Sequence, residues 1–170
     1  MRNIVLVGFM GTGKTTVGKL LAEKTGMPLL DMDSLIEKRA GKTINEIFAE
    51  DGEPHFRTME RALAKELSTG NSQIISTGGG IVLDPENITD FEKTGLVVCL
   101  LADAKTVLDR VKHDSTRPLL ADDKETKILQ ILETRKPIYE AIPHRIDTSG
   151  RPSPEPTAQE IFDLYESNNP

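Results

Sequence analysis

Residues 3–21, NIVLVGFMGTGKTTVGKLL, constrain the fold more than any other part of the chain. Gly8-Phe9-Met10-Gly11-Thr12-Gly13-Lys14-Thr15 fits the pattern G-x-x-x-x-G-K-[ST], with an apolar strand-like run before it and a helical pattern after it. From composition alone the pattern arises in roughly 1% of chains of this length, taking glycine at about 7%. The strand and helix context lowers that figure further. Backbone N–H groups of such a loop turn inward onto phosphate oxygens, and the following helix adds the partial positive charge of its amino terminus. Lys14 is then expected on the β- and γ-phosphates, and the Thr15 hydroxyl on Mg²⁺. Gly11, Thr12, Gly13, Lys14, Thr15 and Thr16 are the expected nucleotide contacts. The loop is read as binding a nucleoside triphosphate, rather than as a glycine turn that only tightens strand–helix packing.

The rest of the chain repeats the strand–helix alternation. NIVLV (3–7), PLLDM (28–32), QIIST (73–77), LVVCLL (96–101) and HRIDT (144–148) read as strands. Helical patterns fall at about 14–25, 34–50, 54–69, 104–112, 123–142 and 157–167. Strands without alternation imply a parallel sheet covered on both faces, an α/β fold. At 170 residues the expectation is one domain, 1–170. Ligands of open parallel sheets sit beyond the carboxyl ends of the strands. That directs attention to GFMGTGKTT, DMD, TGGG and the loops after the last two strands.

Composition narrows the partners. A net charge of −6 and a pI near 5.2 argue against nucleic acid or an anionic membrane as the main partner. The one cysteine, Cys99, lies in an apolar run and reads as a buried hydrophobe; with no disulfide framework in the chain, a reducing, cytoplasmic setting is expected. No stretch approaches the length of a membrane span, and the amino terminus lacks a signal peptide's cleavage region. His55, His113 and His144 show no metal-ligand spacing.

A triphosphate site leaves the acceptor open. LLDMDS (29–34) ends in Asp31 and Asp33, which point the same way if the segment is extended. Asp31 closes the second strand and Asp33 opens the next helix, where it is either a cap or a functional carboxylate. Ser34-x-x-Glu37 offers a capping box of its own. In EPHFRTME, Phe56, Met59, Leu63 and Leu67 form an apolar stripe. Arg57 and Glu60 sit beside it at i, i+3, which alone reads as an exposed ion pair. Arg135 fills a gap in the stripe Ile128, Ile131, Leu132, Tyr139 and Ile142; a guanidinium there meets an anion, lines a cleft, or snorkels to water. Thr77-Gly78-Gly79-Gly80 is plain loop or a place where substrate touches backbone. HDSTRPLLADDK (113–124) holds Arg117 and reads as a lid over the phosphates or as a surface loop.

These segments together resemble shikimate kinase: GFMGTGKTTVGKLLA, LLDMDSLIEKRAG, FRTME, STGGGIV, VVCLLAD, TRPLL and ETRKPIYE follow that family's order and spacing over nearly the whole chain. The resemblance implies a P-loop kinase fold of three layers, with a five-stranded parallel sheet in order 2-3-1-4-5, a lid near 113–124 and substrate-binding helices near 33–61. It implies phosphorylation of the 3-hydroxyl of shikimate by ATP, in aromatic amino-acid biosynthesis, by an enzyme expected to be monomeric. It implies shikimate contacts from Asp33, Arg57, Gly79 and Arg135, with the arginines on the carboxylate. Asp33 would take the proton of the attacking hydroxyl, Asp31 would hold Mg²⁺ beside Thr15, and Lys14 and Arg117 would neutralise charge on the transferred group. Arg110 and Arg151 match positions that flank adenine. The alternatives are a kinase of the same fold acting on another acceptor, such as gluconate or a nucleoside monophosphate, or a nucleotide-binding module without catalysis.

Overall fold

In the computed structural model, residues 1–113 and 123–168 are described. The expected lid, 113–124, and with it Arg117, falls almost wholly outside them. Five strands, β1 (Asn3–Gly8), β2 (Leu29–Asp31), β3 (Ile74–Ser76), β4 (Gly95–Leu101) and β5 (His144–Asp147), form one sheet in order β2-β3-β1-β4-β5. Every pairing is parallel. The expected order and class are thereby met.

The central strand shows why both faces must be covered. Successive side chains of β1 alternate between faces. Val5 and Val7 join a cluster with Met32, Ile36, Phe56, Leu63, Phe91, Cys99 and Tyr139. Ile4 and Leu6 join Val17, Leu21, Ile74, Val98, Ile146 and Ile161 on the other side. All six residues of β1 are buried, so its run of apolar residues has no polar face to show. Cys99 is fully buried, and burial pushes its thiol up to about 12, which keeps it inert.

The helices are α1 (Lys14–Thr25), α2 (Met32–Ala40), α3 (Ile44–Glu50), α4 (Glu53–Leu67), α5 (Pro85–Thr94), α6 (Ala104–Lys112), α7 (Asp123–Glu140) and α8 (Glu155–Asn168). Two differ from the sequence expectation. The helix expected over 34–50 is two helices, because Gly41 ends α2 in a left-handed conformation (φ 66°) and Thr43 opens α3 with a capping box to Glu46. Glu37, expected to pair with Ser34, instead accepts from the Ile44 N–H at 2.9 Å. The second difference is α5, where no element was expected. Asp84 caps it by accepting from the Glu86 N–H at 2.9 Å, and Pro85 fills the first turn, where its missing N–H costs nothing.

Candidate active site

The carboxyl ends of β1, β2 and β3 lie side by side, and each delivers one part of the site. After β1 the chain turns through Gly8–Gly13, and Gly13 enters α1 with φ 97°, a conformation that costs other residues a Cβ clash. The loop is tied to itself: Thr12 Oγ1 donates to the Phe9 carbonyl at 2.8 Å, and Lys14 Nζ donates to the carbonyls of Gly8 and Phe9 at 2.6 and 2.9 Å. It is also braced from outside. Arg110 Nη1 donates to the Gly11 carbonyl and to Thr148 Oγ1, both at 3.0 Å, while Thr148 Oγ1 lies 3.2 Å from the Thr12 carbonyl. Thr16, the third residue of α1, is exposed.

After β2 the two aspartates part company. Helix α2 begins at Met32, so Asp31 is its amino-terminal cap and Asp33 lies in its first turn. As expected, Asp31 closes the strand and Asp33 begins the helix; the segment is not extended through both, so the two carboxylates do not emerge side by side. Asp31 Oδ1 accepts from the Ser34 N–H at 3.0 Å, replacing the expected Ser34 cap. Its other oxygen, Oδ2, accepts from Thr15 Oγ1 at 3.1 Å, and Ser76 Oγ, from the end of β3, is 3.4 Å from the same hydroxyl. Three hard oxygens thus converge beside the phosphate loop. Ser76 was not singled out from sequence; its place at the end of a strand in S-T-G-G-G was the available signal.

Asp33 faces the other way, toward the glycines after β3. A Cβ built on Gly78 would lie 2.8 Å from Asp33 Oδ1 and 3.2 Å from Glu60 Oε2. Glu60 is 2% exposed, so the Arg57–Glu60 pair is not the exposed one its spacing allows. Arg57 Nη1 donates to Glu60 Oε1 at 2.9 Å and Nη2 to Glu53 Oε1 at 3.1 Å. Burial raises the Glu60 carboxyl above the usual carboxylate range; Arg57 pulls it back down, Asp33 pushes it further up, and Arg135 lowers it. Glu60 Oε2 is buried without a hydrogen-bond partner among the described residues. The sequence reading missed Glu60 as a site residue because i, i+3 spacing does not report burial.

Gly80 passes directly under the guanidinium of Arg57, where any side chain would overlap it. Arg135, half-buried on α7, brings Nη1 within 3.8 Å of the Cβ position of Gly79. So Asp33, Glu60, Arg57 and Arg135, from three helices, surround one glycine loop. A cleft of about 400 Å³ opens beside Arg57, Glu60 and Gly80, lined also by Pro54, Asp84 and Asn87. The expected apolar stripe is partly right: Ile128 and Tyr139 on α7 are buried, as is Ile142 just beyond its end, but Ile131 is 37% exposed. Arg151 lies apart from this cluster, with Nη2 donating to Glu160 Oε2 at 2.9 Å on α8. Arg117 is outside the described residues.

Comparison with known proteins agrees on one family. The family model described as shikimate kinase matches residues 10–166. Shikimate kinase of Thermodesulfovibrio yellowstonii is 44% identical over 167 residues, covering 98% of this chain and 96% of that protein. The Persephonella marina shikimate kinase is 45% identical over 162 residues, covering 95% of this chain and 98% of its own length. Among solved structures, shikimate kinase from Acinetobacter baumannii in complex with shikimate superposes with a TM-score of 0.90 at 38% identity, over 99% of this chain and 95% of that one. The chain belongs to the shikimate kinase family.

Proposed function

We propose that this chain transfers the γ-phosphoryl group of ATP to the 3-hydroxyl of shikimate, giving ADP and shikimate 3-phosphate in the biosynthesis of aromatic amino acids. The observation that carries this reading is the meeting of Asp33 with two arginines, Arg135 and the Glu60-paired Arg57, around Gly78–Gly80 beside the phosphate loop. A hydroxylated carboxylic acid is the complement of that set: hydroxyls for the aspartate, a carboxylate for the arginine forks. The shikimate complex of the Acinetobacter relative supports the same acceptor. ATP and shikimate are the partners proposed, for a chain acting as a cytoplasmic monomer. Among the described residues no helix is long and apolar enough to cross a membrane.

In the reaction, the acceptor oxygen forms a bond to the γ-phosphorus as the bond to the β–γ bridging oxygen breaks and ADP leaves with that electron pair. Asp33 accepts the proton of the attacking hydroxyl. Such a transfer asks the protein mainly for alignment and for neutralisation of negative charge. The backbone N–H groups of Gly11–Thr16 and the Lys14 ammonium serve the phosphates, and Arg117 is proposed for the transferred group. Arg110, which braces the loop at Gly11, and Arg151 are proposed for the adenine side. Arg57, held by Glu53 and Glu60, and Arg135 grip the carboxylate, with Gly79 offering its backbone.

Oxygens of Thr15 and Asp31 suit a magnesium ion, which is held by one or two carboxylates together with substrate phosphates. They would hold it, and its charge would offset that of the β- and γ-phosphates. Among the described residues no group of three or more His, Cys, Asp and Glu is placed to hold a metal.

Two outcomes follow for the acceptor side. Arg135→Ala is expected to raise KM for shikimate by about tenfold or more, with KM for MgATP little changed, since a hydrogen-bonded charge pair is lost from one substrate only. Steady-state kinetics with each substrate varied in turn measures this, and an unchanged shikimate KM removes Arg135 from the carboxylate. Gly80→Ala is expected to displace the Arg57 guanidinium and lower kcat/KM for shikimate by about tenfold or more, as small misplacements in a site do. A rate equal to that of the unsubstituted chain would mean that Arg57 moves aside at no cost. The function itself is tested by phosphorus and proton NMR of the product formed from MgATP and shikimate. Phosphate on the 3-hydroxyl supports the reading; phosphate elsewhere on the ring, or no product, overturns it.

A further inference from the structure

The hydroxyl of Tyr139 takes no part in the chemistry above, yet it is buried among the groups that do. Tyr139 is 1% exposed, and its Oη donates to the Gly79 carbonyl at 2.6 Å, short for a bond between neutral groups. Arg135 stands one turn earlier on α7, and side chains at i and i+4 share a helix face. Burial pushes the Tyr139 phenol up to about 12, and the positive charge of the Arg135 guanidinium pulls the other way. A phenol has one proton to give and lone pairs to accept with, so a hydroxyl that donates to Gly79 still has acceptor capacity for a neighbouring guanidinium.

Gly79 also lies against the phosphate loop. Its Cβ position lies 3.4 Å from Met10 N and 3.8 Å from both the Gly8 carbonyl oxygen and Arg135 Nη1. The Tyr139 ring meets Phe9, in that same loop, edge-on, with centroids 6.4 Å apart at 67°. Between Arg135 and Tyr139 stands Pro137, which has no N–H for the carbonyl four residues back. The helical ladder is weakened at that point, so the backbone alone does less to fix the two side chains relative to each other.

We propose that Tyr139 is a positioning residue, whose hydroxyl holds the Arg135 guanidinium and the Gly79 backbone in one geometry for the acceptor's carboxylate. The inference rests on the reading of Arg135 as a carboxylate contact of shikimate. With the hydroxyl gone, the guanidinium must be ordered by the substrate itself, and the Gly79 carbonyl loses its partner. The loss falls on acceptor binding, not on the nucleotide or on the transfer step.

Tyr139→Phe keeps the ring and its contact with Phe9 and removes the hydroxyl alone. The unsubstituted chain is assayed first; no turnover of shikimate there would overturn the functional reading, and this inference with it. Given that turnover, Tyr139→Phe is expected to raise KM for shikimate by about tenfold, with kcat and KM for MgATP within about twofold. In an Arg135→Ala background the same substitution is expected to add clearly less than its own increase, because one of the two groups it orients is gone. A core hydrogen bond without a positioning role would lower the melting temperature and leave the shikimate KM where it was. That result overturns the proposal while leaving the functional reading intact, as do parallel rises in both KM values or full additivity with Arg135→Ala.

Discussion

Asp33→Asn is expected to lower kcat with shikimate by about 10³-fold while MgATP still binds with near-unchanged affinity. General-base contributions of this kind are worth about 10²–10⁴ in rate. The amide keeps the size of the side chain and its place in the first turn of α2, where Asp33 lies near Glu60 around Gly78. What it loses is the ability to take a proton. Asp31 does not substitute for it, because its two oxygens are taken by the Ser34 N–H and the Thr15 hydroxyl, on the phosphate side of the site. Single-turnover kinetics, with nucleotide binding measured separately by calorimetry, separates the two effects. A kcat within about tenfold of the unsubstituted chain would return Asp33 to a hydrogen-bonding role and leave the proton to leave by way of the phosphate itself.

Arg117→Ala is expected to lower turnover by roughly 10³-fold or more, the scale on which arginines act when they meet the transferring phosphoryl group. The argument is one of charge. Lys14 is the cation built into the loop, and negative charge spreads over the equatorial oxygens of the γ-phosphoryl as it leaves. A guanidinium that reaches those oxygens lowers the barrier without tightening shikimate in the ground state, so KM for shikimate is expected to change little. Arg117→Lys should recover only part of the rate, since a point charge does not reproduce the planar fork. Near-normal turnover of Arg117→Ala would remove this side chain from the site. The residue lies outside the described part of the chain, so its assignment rests on the Thr116-Arg117-Pro118-Leu119 segment alone.

The strands were legible because a buried parallel strand is written as an uninterrupted apolar run, and the phosphate loop because its chemistry fixes residue types at fixed spacing. The helix α5 was not, since DPENITDFEKT carries few apolar residues; Asp84 and Pro85 marked its start, but a cap without a strong apolar period is easily passed over. Burial of Glu60 and the buried hydroxyl of Tyr139 were hidden for a deeper reason. Spacing along a helix tells which side chains share a face, but what that face meets depends on the glycine loop after β3, which is remote in sequence. The two aspartates show the same limit: the pattern D-x-D marked both, but only the start of α2 at Met32 sends one toward Thr15 and the other toward Gly78.

The central claim is the identity of the acceptor, and one comparison tests it most directly. ADP release from MgATP is measured with shikimate, gluconate and a nucleoside monophosphate as separate acceptors, and kcat/KM is compared among them. Rapid turnover with shikimate, and turnover with the other two no faster than with water, is the expected result. Preferred turnover of gluconate or of the nucleotide, or ADP release that no acceptor stimulates, would contradict the assignment of Asp33, Arg57 and Arg135 to shikimate.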